Sequence, residues 1–172
     1  MGGALVVDSA GLPIEFRHTE PVLPSKLQRV LYGRALEAYM CNEVVVGALL
    51  QSVEAKPQMY IAGDSIYLAG AGAFGLPAIA IAEARNVPAK EIGSRQDLSA
   101  EEFVLYLGPG NGPIRVKLDI RDGQSAASAR ETCAKALVDA AATMELIEPT
   151  RRIEDALRLI WDEQAKPRAI AA

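Results

Sequence analysis

A nearly continuous apolar stripe over residues 25–55 constrains the fold of this chain more than any other feature. Ser25 and Gln28 have the spacing of a capping box, in which each side chain bonds the backbone of the other, so a helix is predicted to begin near Lys26. Steps of three and four residues then trace one helical face. That face consists of Leu27, Leu31, Ala35, Ala38, Asn42, Val45, Leu49 and Val53. The sequence therefore predicts one long helix packed across a sheet.

The second half of this helix is apolar around more than half of its circumference. Val44, Val45 and Val46 are consecutive and cannot all point the same way at about 100° per residue, which predicts burial on two sides. A second row, displaced around the axis from the first, is the predicted interaction surface. It consists of Leu36, Tyr39, Met40 and Val44. A homodimer or a partner protein would cover this row; the alternative is that helices of the same chain cover it.

Length and composition favour one folded domain. The 172 residues suit a single core, predicted over residues 1–165 with a frayed tail at 166–172. Half of the residues are hydrophobic and 23% are charged, which is typical of globular proteins. No apolar run approaches the roughly 20 residues of a membrane span, and the N-terminus lacks a leader pattern, so a cytoplasmic protein is predicted. A net charge of −4 weighs against binding to nucleic acid or anionic lipid.

The remaining pattern predicts an α+β fold. Residues 3–22 form two extended runs around a small polar turn, and residues 103–120 form a second hairpin with a Gly-rich tip. Two helices follow, beginning near residues 125 and 148. Strands joined by tight turns are antiparallel neighbours, so we expect a mostly antiparallel or mixed sheet of five to seven strands. The long N-terminal helix and both C-terminal helices are predicted to pack on it.

The segment 65–91 has two interpretations. Gly70, Gly72 and Gly75 match G-x-G-x-x-G ahead of Glu91, the outline of a dinucleotide-binding turn. Alternatively, residue 64 or 65 caps a short helix that ends at Gly75 in the left-handed conformation, and a strand follows from Pro77. The alternation of isoleucine and alanine after Pro77 has the period of a strand where the dinucleotide fold needs a helix.

The sequence supplies little for catalysis. His18 is the only histidine, and its phase places it on a strand face beside Ile14 and Phe16. Cys41 and Cys133 are far apart and have no metal-binding spacing, so both are predicted to be buried apolar residues. We therefore expect neither a metal nor a cofactor, and the sequence favours a protein that is not an enzyme.

Three classes of function follow from these patterns. The first is a non-catalytic interaction module, because the helical surface exceeds what a sheet can cover. The second is a small nucleotide- or dinucleotide-binding protein or enzyme that uses the glycines of segment 70–75. The third is a nucleic-acid-associated subunit that uses Arg115, Lys117 and the C-terminal arginines.

Two resemblances accompany these patterns. The element order resembles that of longin and roadblock domains, which are chiefly adaptors and scaffolds, often dimeric and often serving small GTPases. The opening of the chain resembles a family of uncharacterised bacterial proteins with the pattern D-x-x-G-x-P-x-E-F-x-x-T-x-P-V followed by Q-x-x-L-Y-G-x-x-L. The matching residues are Asp8, Gly11, Pro13, Glu15, Phe16, Thr19, Pro21, Val22, Gln28, Leu31, Tyr32, Gly33 and Leu36. This second resemblance implies no activity and no site residues.

Overall fold

The strands form two separate sheets in the computed structural model, which describes residues 1–165 except 73, 86, 89 and 121–124. The strands are β1 (Gly3–Val7), β2 (Pro13–His18), β3 (Tyr60–Ala62), β4 (Ala78–Glu83), β5 (Arg95–Asp97), β6 (Glu102–Tyr106) and β7 (Pro113–Leu118). β1 and β2 pair as an antiparallel hairpin, whereas the other five form a mixed sheet in the order β3-β4-β7-β6-β5. Only β3 and β4 run parallel within it. The α+β class and the five-stranded mixed sheet are confirmed, but the opening hairpin is not part of that sheet.

The predicted long helix is interrupted, so the prediction of one continuous helix is wrong. Its pieces are α1 (Lys26–Tyr32), a 3-10 turn (Gly33–Ala35), α2 (Leu36–Tyr39), a π-helical segment (Met40–Val46) and α3 (Gly47–Ser52). The first break occurs at Gly33, whose φ of 50° and ψ of −123° lie outside the helical region. Glycine accepts this conformation without the steric cost that a Cβ would bring.

The predicted burial on two sides holds for the second half of this run. A Cβ on Gly2, which precedes β1, would lie 2.2 Å from Val45 Cγ1, and a Cβ on Gly70 would lie 2.7 Å from the Asn42 carbonyl oxygen. The hairpin therefore packs on one side of the π-helical segment, and α4 (Leu68–Gly72) packs on another. Both close approaches depend on glycine.

The two C-terminal helices, α5 (Ala126–Ala141) and α6 (Glu148–Ala165), cover different sheets. Cys133 and Leu137 of α5 belong to the core cluster formed by the central strands of the five-stranded sheet. α6 packs instead on the hairpin, since a Cβ on Gly3 would meet Ile153 and Leu157 at 2.9 and 3.3 Å. The expectation that both helices lie on one sheet is therefore corrected for α6.

The Gly-rich tip between β6 and β7 is held by Asn111. Its side-chain amide donates to the carbonyl oxygens of Ala141 and Met144 at 3.1 Å each, and its Oδ1 accepts from the Leu146 N–H at 2.8 Å. Asn111 thus binds the end of α5 and the segment that leads to α6. The tip connects β6 and β7 and anchors these helices, in agreement with its interpretation as a turn.

The predicted frayed tail, residues 166–172, lies outside the described residues. Among the helices that the structure describes, none is long and apolar enough to span a membrane.

Candidate interaction surface

The first helix projects from the fold as an arm, which we define as residues 22–32. Ser25 Oγ accepts a hydrogen bond from the Gln28 N–H at 3.2 Å, and Gln28 Oε1 accepts one from the Ser25 N–H at 2.8 Å. The predicted capping box is therefore confirmed. The main contacts of α1 are with the adjoining 3-10 turn and α2, and none of its residues is buried. The arm is thus a formed helix without a covering layer.

The apolar side chains of the arm form an exposed stripe. The exposed fractions are 85% for Leu23, 66% for Leu27, 79% for Val30 and 71% for Leu31. Leu27, Val30 and Leu31 follow helical spacing and lie on one face of α1, and Leu23 precedes the N-cap residue of that helix. Leu27 and Leu31 were predicted to be core residues, and that prediction is wrong because the break at Gly33 directs α1 away from the sheets.

The arm is also basic in an acidic protein. Residues 21–36 carry Lys26, Arg29 and Arg34 and no acidic residue. Since the whole chain has a net charge of −4, the remainder carries −7 against the +3 of this segment. The arm therefore combines an apolar stripe with a charge opposite to that of the rest of the molecule.

Two tyrosine rings contact each other where the arm joins the rest of the helical run. The rings of Tyr32 and Tyr39 stack with their centroids 4.4 Å apart at an interplanar angle of 35°. A hydrogen bond to the Tyr39 side chain raises the pKa of Tyr32, with smaller contributions from the Tyr39 charge and from burial. This contact joins the arm to the predicted interaction row. The residues of that row, Leu36, Tyr39, Met40 and Val44, are all half-buried.

Two exposed carboxylates lie beside this row, around the side chains of Cys41 and Tyr67. Burial raises the pKa of Cys41, the hydrogen bond with Tyr67 lowers it, and the charges of Glu37 and Asp64 raise it further. Burial also raises the pKa of Tyr67, with additional contributions from Cys41, Asp64 and Glu37. We call this site, composed of Glu37, Cys41, Asp64 and Tyr67, the acidic corner.

Neither cysteine has the properties of a nucleophile. The pKa of Cys41 is raised, and burial raises the pKa of Cys133 to about 12. Reactive cysteines have lowered pKa values because the thiolate is the attacking form. Within the described part of the chain, no group of three or more histidine, cysteine or acidic residues could hold a metal ion.

The residues of the alternative cofactor site are not brought together as a dinucleotide turn. Gly70 and Gly72 lie inside α4, Gly75 follows it with a φ of 73°, and β4 begins at Ala78. Glu91 is exposed in the connection between β4 and β5. A dinucleotide turn places its glycines before a helix N-terminus that faces the pyrophosphate. The observed geometry is instead the short helix with a left-handed Gly75 and a following strand.

Replacement of Gly70 with alanine is expected to lower the free energy of unfolding by about 1 to 3 kcal/mol. Alanine is the better helix former, but its Cβ would lie 2.7 Å from the Asn42 carbonyl oxygen and 3.0 Å from Val46 Cβ. Gly47 in α3 is a matched control because its Cβ would meet the same oxygen at 3.6 Å, an ordinary contact. Gly47→Ala should raise stability by up to about 1 kcal/mol in urea denaturation. An equal gain in stability for both variants would contradict the close packing of Gly70 against Asn42 and Val46.

The arginines of the nucleic-acid interpretation have acidic partners. Arg115 Nε lies 2.6 Å from Glu102 Oε1, and Arg151 Nη2 lies 2.7 Å from Glu83 Oε1. Arg152 pairs with Glu148 at 2.8 Å. Because each of these arginines lies beside a carboxylate, they do not form an extended surface of unpaired positive charge.

Two shallow depressions lie on the described surface. One of about 530 Å³ lies between β5 and α5, where Arg95 pairs with Asp97 and Glu131. The other, about 390 Å³, lies beside the Gly-rich tip and Arg151, which pairs with Glu83 and Glu145. Both contain balanced charges, so neither shows the convergent polar groups of a ligand site.

In comparisons with known proteins, no family model matches the chain, and no curated protein or solved structure shows significant similarity to it. The function of this chain is therefore inferred from the arm. The sequence pattern predicts Leu27 and Leu31 as core residues, with Val30 widening the same stripe, and does not single out Leu23. The signal that identifies the arm is a short apolar and basic segment confined between Pro24 and Gly33.

Proposed function

We propose that this protein is a non-catalytic interaction module, an adaptor or scaffold subunit of a bacterial cytoplasmic complex, and that the arm is its principal contact surface. The observation that carries the proposal is an exposed apolar stripe on a helix with no covering layer. Soluble proteins seldom expose contiguous apolar patches of several hundred Å² without an interaction to cover them.

The length of α1 strengthens this argument. Isolated helices shorter than about 12 to 15 residues are marginal in water, and α1 has seven residues. The Ser25 cap contributes about 1 kcal/mol, which offsets only part of the entropy lost by ordering the chain. Packing of the apolar stripe against another surface would supply the missing stabilisation. The proposal thus explains both the exposure of the stripe and the persistence of the helix.

Resemblance at the level of element order supports the same class of function. A hairpin, a helical run, a set of mainly antiparallel strands and two terminal helices follow each other as in longin and roadblock domains, which serve mostly as adaptors. The separate hairpin sheet and the broken helix are departures from a single covered sheet. Fold analogy supports the class of function and does not identify a partner.

Site-specific photo-crosslinking tests the proposal. A photo-reactive residue placed at Leu27, in the cells that express the protein, is expected to yield an adduct of defined mass. The control position is Lys135, whose side chain is 81% exposed on α5, away from the arm. An adduct at position 27 that is missing at position 135, and that disappears in a Val30→Asp and Leu31→Asp background, supports the arm as a contact surface. Equal labelling at both positions, or none at position 27, contradicts it.

A further inference from the structure

We propose that the partner of the arm is a second copy of this chain, whose acidic corner receives the arm while its own arm is received in return. This inference rests on the proposed function and identifies the occupant of the surface. The resulting dimer has twofold symmetry, because each copy contributes one arm and one acidic corner.

Charge complementarity supports this choice. Residues 21–36, which contain the arm, carry a charge of +3, and the rest of the chain carries −7. Glu37 and Asp64 are exposed, and neither forms an ion pair within the described residues. They are therefore acidic groups that a basic segment of a second copy can neutralise. Opposite potentials of this kind favour correct docking and faster association.

The acidic corner also has an apolar side. Leu36, Met40 and Val44 follow the same helical path as Glu37 and Cys41 and are half-buried beside them. The stripe of the incoming arm can lie on this row while Lys26 and Arg29 face the carboxylates. The row predicted from the sequence and the arm revealed by the structure then form the two halves of one contact.

Direct packing of two arms on each other is disfavoured by the same charges. In each copy, residues 21–36 contain Lys26, Arg29 and Arg34 and no acidic residue. Like charges brought together at a contact oppose association. The contact therefore joins an arm to the body of the other copy and not to the other arm.

The area that a stable dimer needs also favours reciprocal exchange. One arm presents a patch on the order of several hundred Å², whereas stable interfaces bury about 800 Å² per partner. Symmetric exchange forms the contact twice, so that each copy buries both its arm and its acidic corner. Gly33 is compatible with this arrangement, because apart from the adjoining residues nothing lies within 4 Å of the position of a Cβ, so the body does not enclose the end of the arm.

Two charge-reversed variants test the proposal. The arm variant carries Lys26→Glu and Arg29→Glu. The corner variant carries Glu37→Lys and Asp64→Asn, where asparagine keeps the side-chain oxygen that accepts from the Ile66 N–H at 2.9 Å. Circular dichroism and thermal unfolding establish that both variants are folded, and multi-angle light scattering gives their masses.

The wild type is expected to be a dimer at about 50 µM, with a dissociation constant that rises with salt because the charges of the contact are exposed. Each variant alone is expected to bind itself at least about tenfold more weakly, since its arm and corner carry charges of the same sign. An equimolar mixture is expected to form a heterodimer, because each arm then meets a corner of opposite charge.

Three results of the mass measurements would overturn the second copy as partner. These are a monomeric wild type at this concentration, variants that dimerise as well as the wild type, and a mixture that remains monomeric. Flotation of the wild-type monomer with anionic phosphatidylserine vesicles would also overturn it in favour of a lipid surface. A crosslink from Leu27 to a different protein would overturn this inference and leave the proposed function intact, so the two failures are distinguishable.

Discussion

Replacement of Asn42 with leucine is expected to lower the free energy of unfolding by about 3 to 5 kcal/mol, because it leaves buried polar groups without partners. Asn42 Nδ2 donates to the carbonyl oxygens of Ala38 at 3.0 Å and Ile66 at 2.8 Å. Its Oδ1 accepts from the buried Gly70 N–H at 2.7 Å. Leucine preserves the volume of the side chain approximately, so the loss would come from hydrogen bonding and not from a cavity.

Urea denaturation with two further variants separates these contributions. Asn42→Asp keeps an acceptor for Gly70 and loses both donors, so we expect it to be destabilised as well, with a carboxylate held against two carbonyl oxygens. Gln51→Leu removes an amide from an exposed position of α3 and should change stability by less than about 0.5 kcal/mol. Wild-type stability for Asn42→Leu would show that the hydrogen bonds of Asn42 do not hold the π-helical segment to α4.

Asn42 shows which features of the structure the sequence predicts and which it does not. Its interruption of an apolar stripe is visible from spacing alone, and such an interruption indicates a polar residue with a specific partner. The partners themselves are distant, because Ile66 and Gly70 lie 24 and 28 residues further along the chain. Local pattern identifies the residue, whereas the tertiary arrangement determines what it binds.

Elements with local causes were predictable. The capping box at Ser25 and the left-handed Gly75 after a short helix depend on interactions within a few residues, and both are observed. Alternation predicted β7, whose Ile114 and Val116 are fully buried on one face while Arg115 lies exposed on the other. The α+β class follows because these signals agree with one another.

Elements decided by nonlocal packing were not predictable. The hairpin packs between two helices, because Gly2 and Gly3 each allow a helix to approach closely, and two glycines near the N-terminus do not predict this packing. β5 is only three residues long and lies in a polar stretch without a strand pattern, because pairing with β6 and not hydrophobicity defines it. The break at Gly33 was missed because an isolated glycine is tolerated in helices.

A pair of leucine replacements distinguishes the exposed and buried ends of the helical run. Leu49 is 6% exposed, and Leu49→Ala is expected to lower the free energy of unfolding by about 2 to 5 kcal/mol. Leu27 is 66% exposed on the arm, and Leu27→Ala should change the free energy of unfolding by less than about 0.5 kcal/mol. Urea denaturation at a protein concentration too low for association measures the fold alone.

The contrast between these two variants tests the premise of the interaction surface. The chemical change is the same at both positions, and both lie in the segment that the sequence predicts as one stripe. A large loss for Leu27→Ala at low concentration would mean that α1 packs in the core of its own chain, so that no stripe remains for a partner. A small loss at low concentration that grows with concentration is expected if docking of the arm adds stability through association.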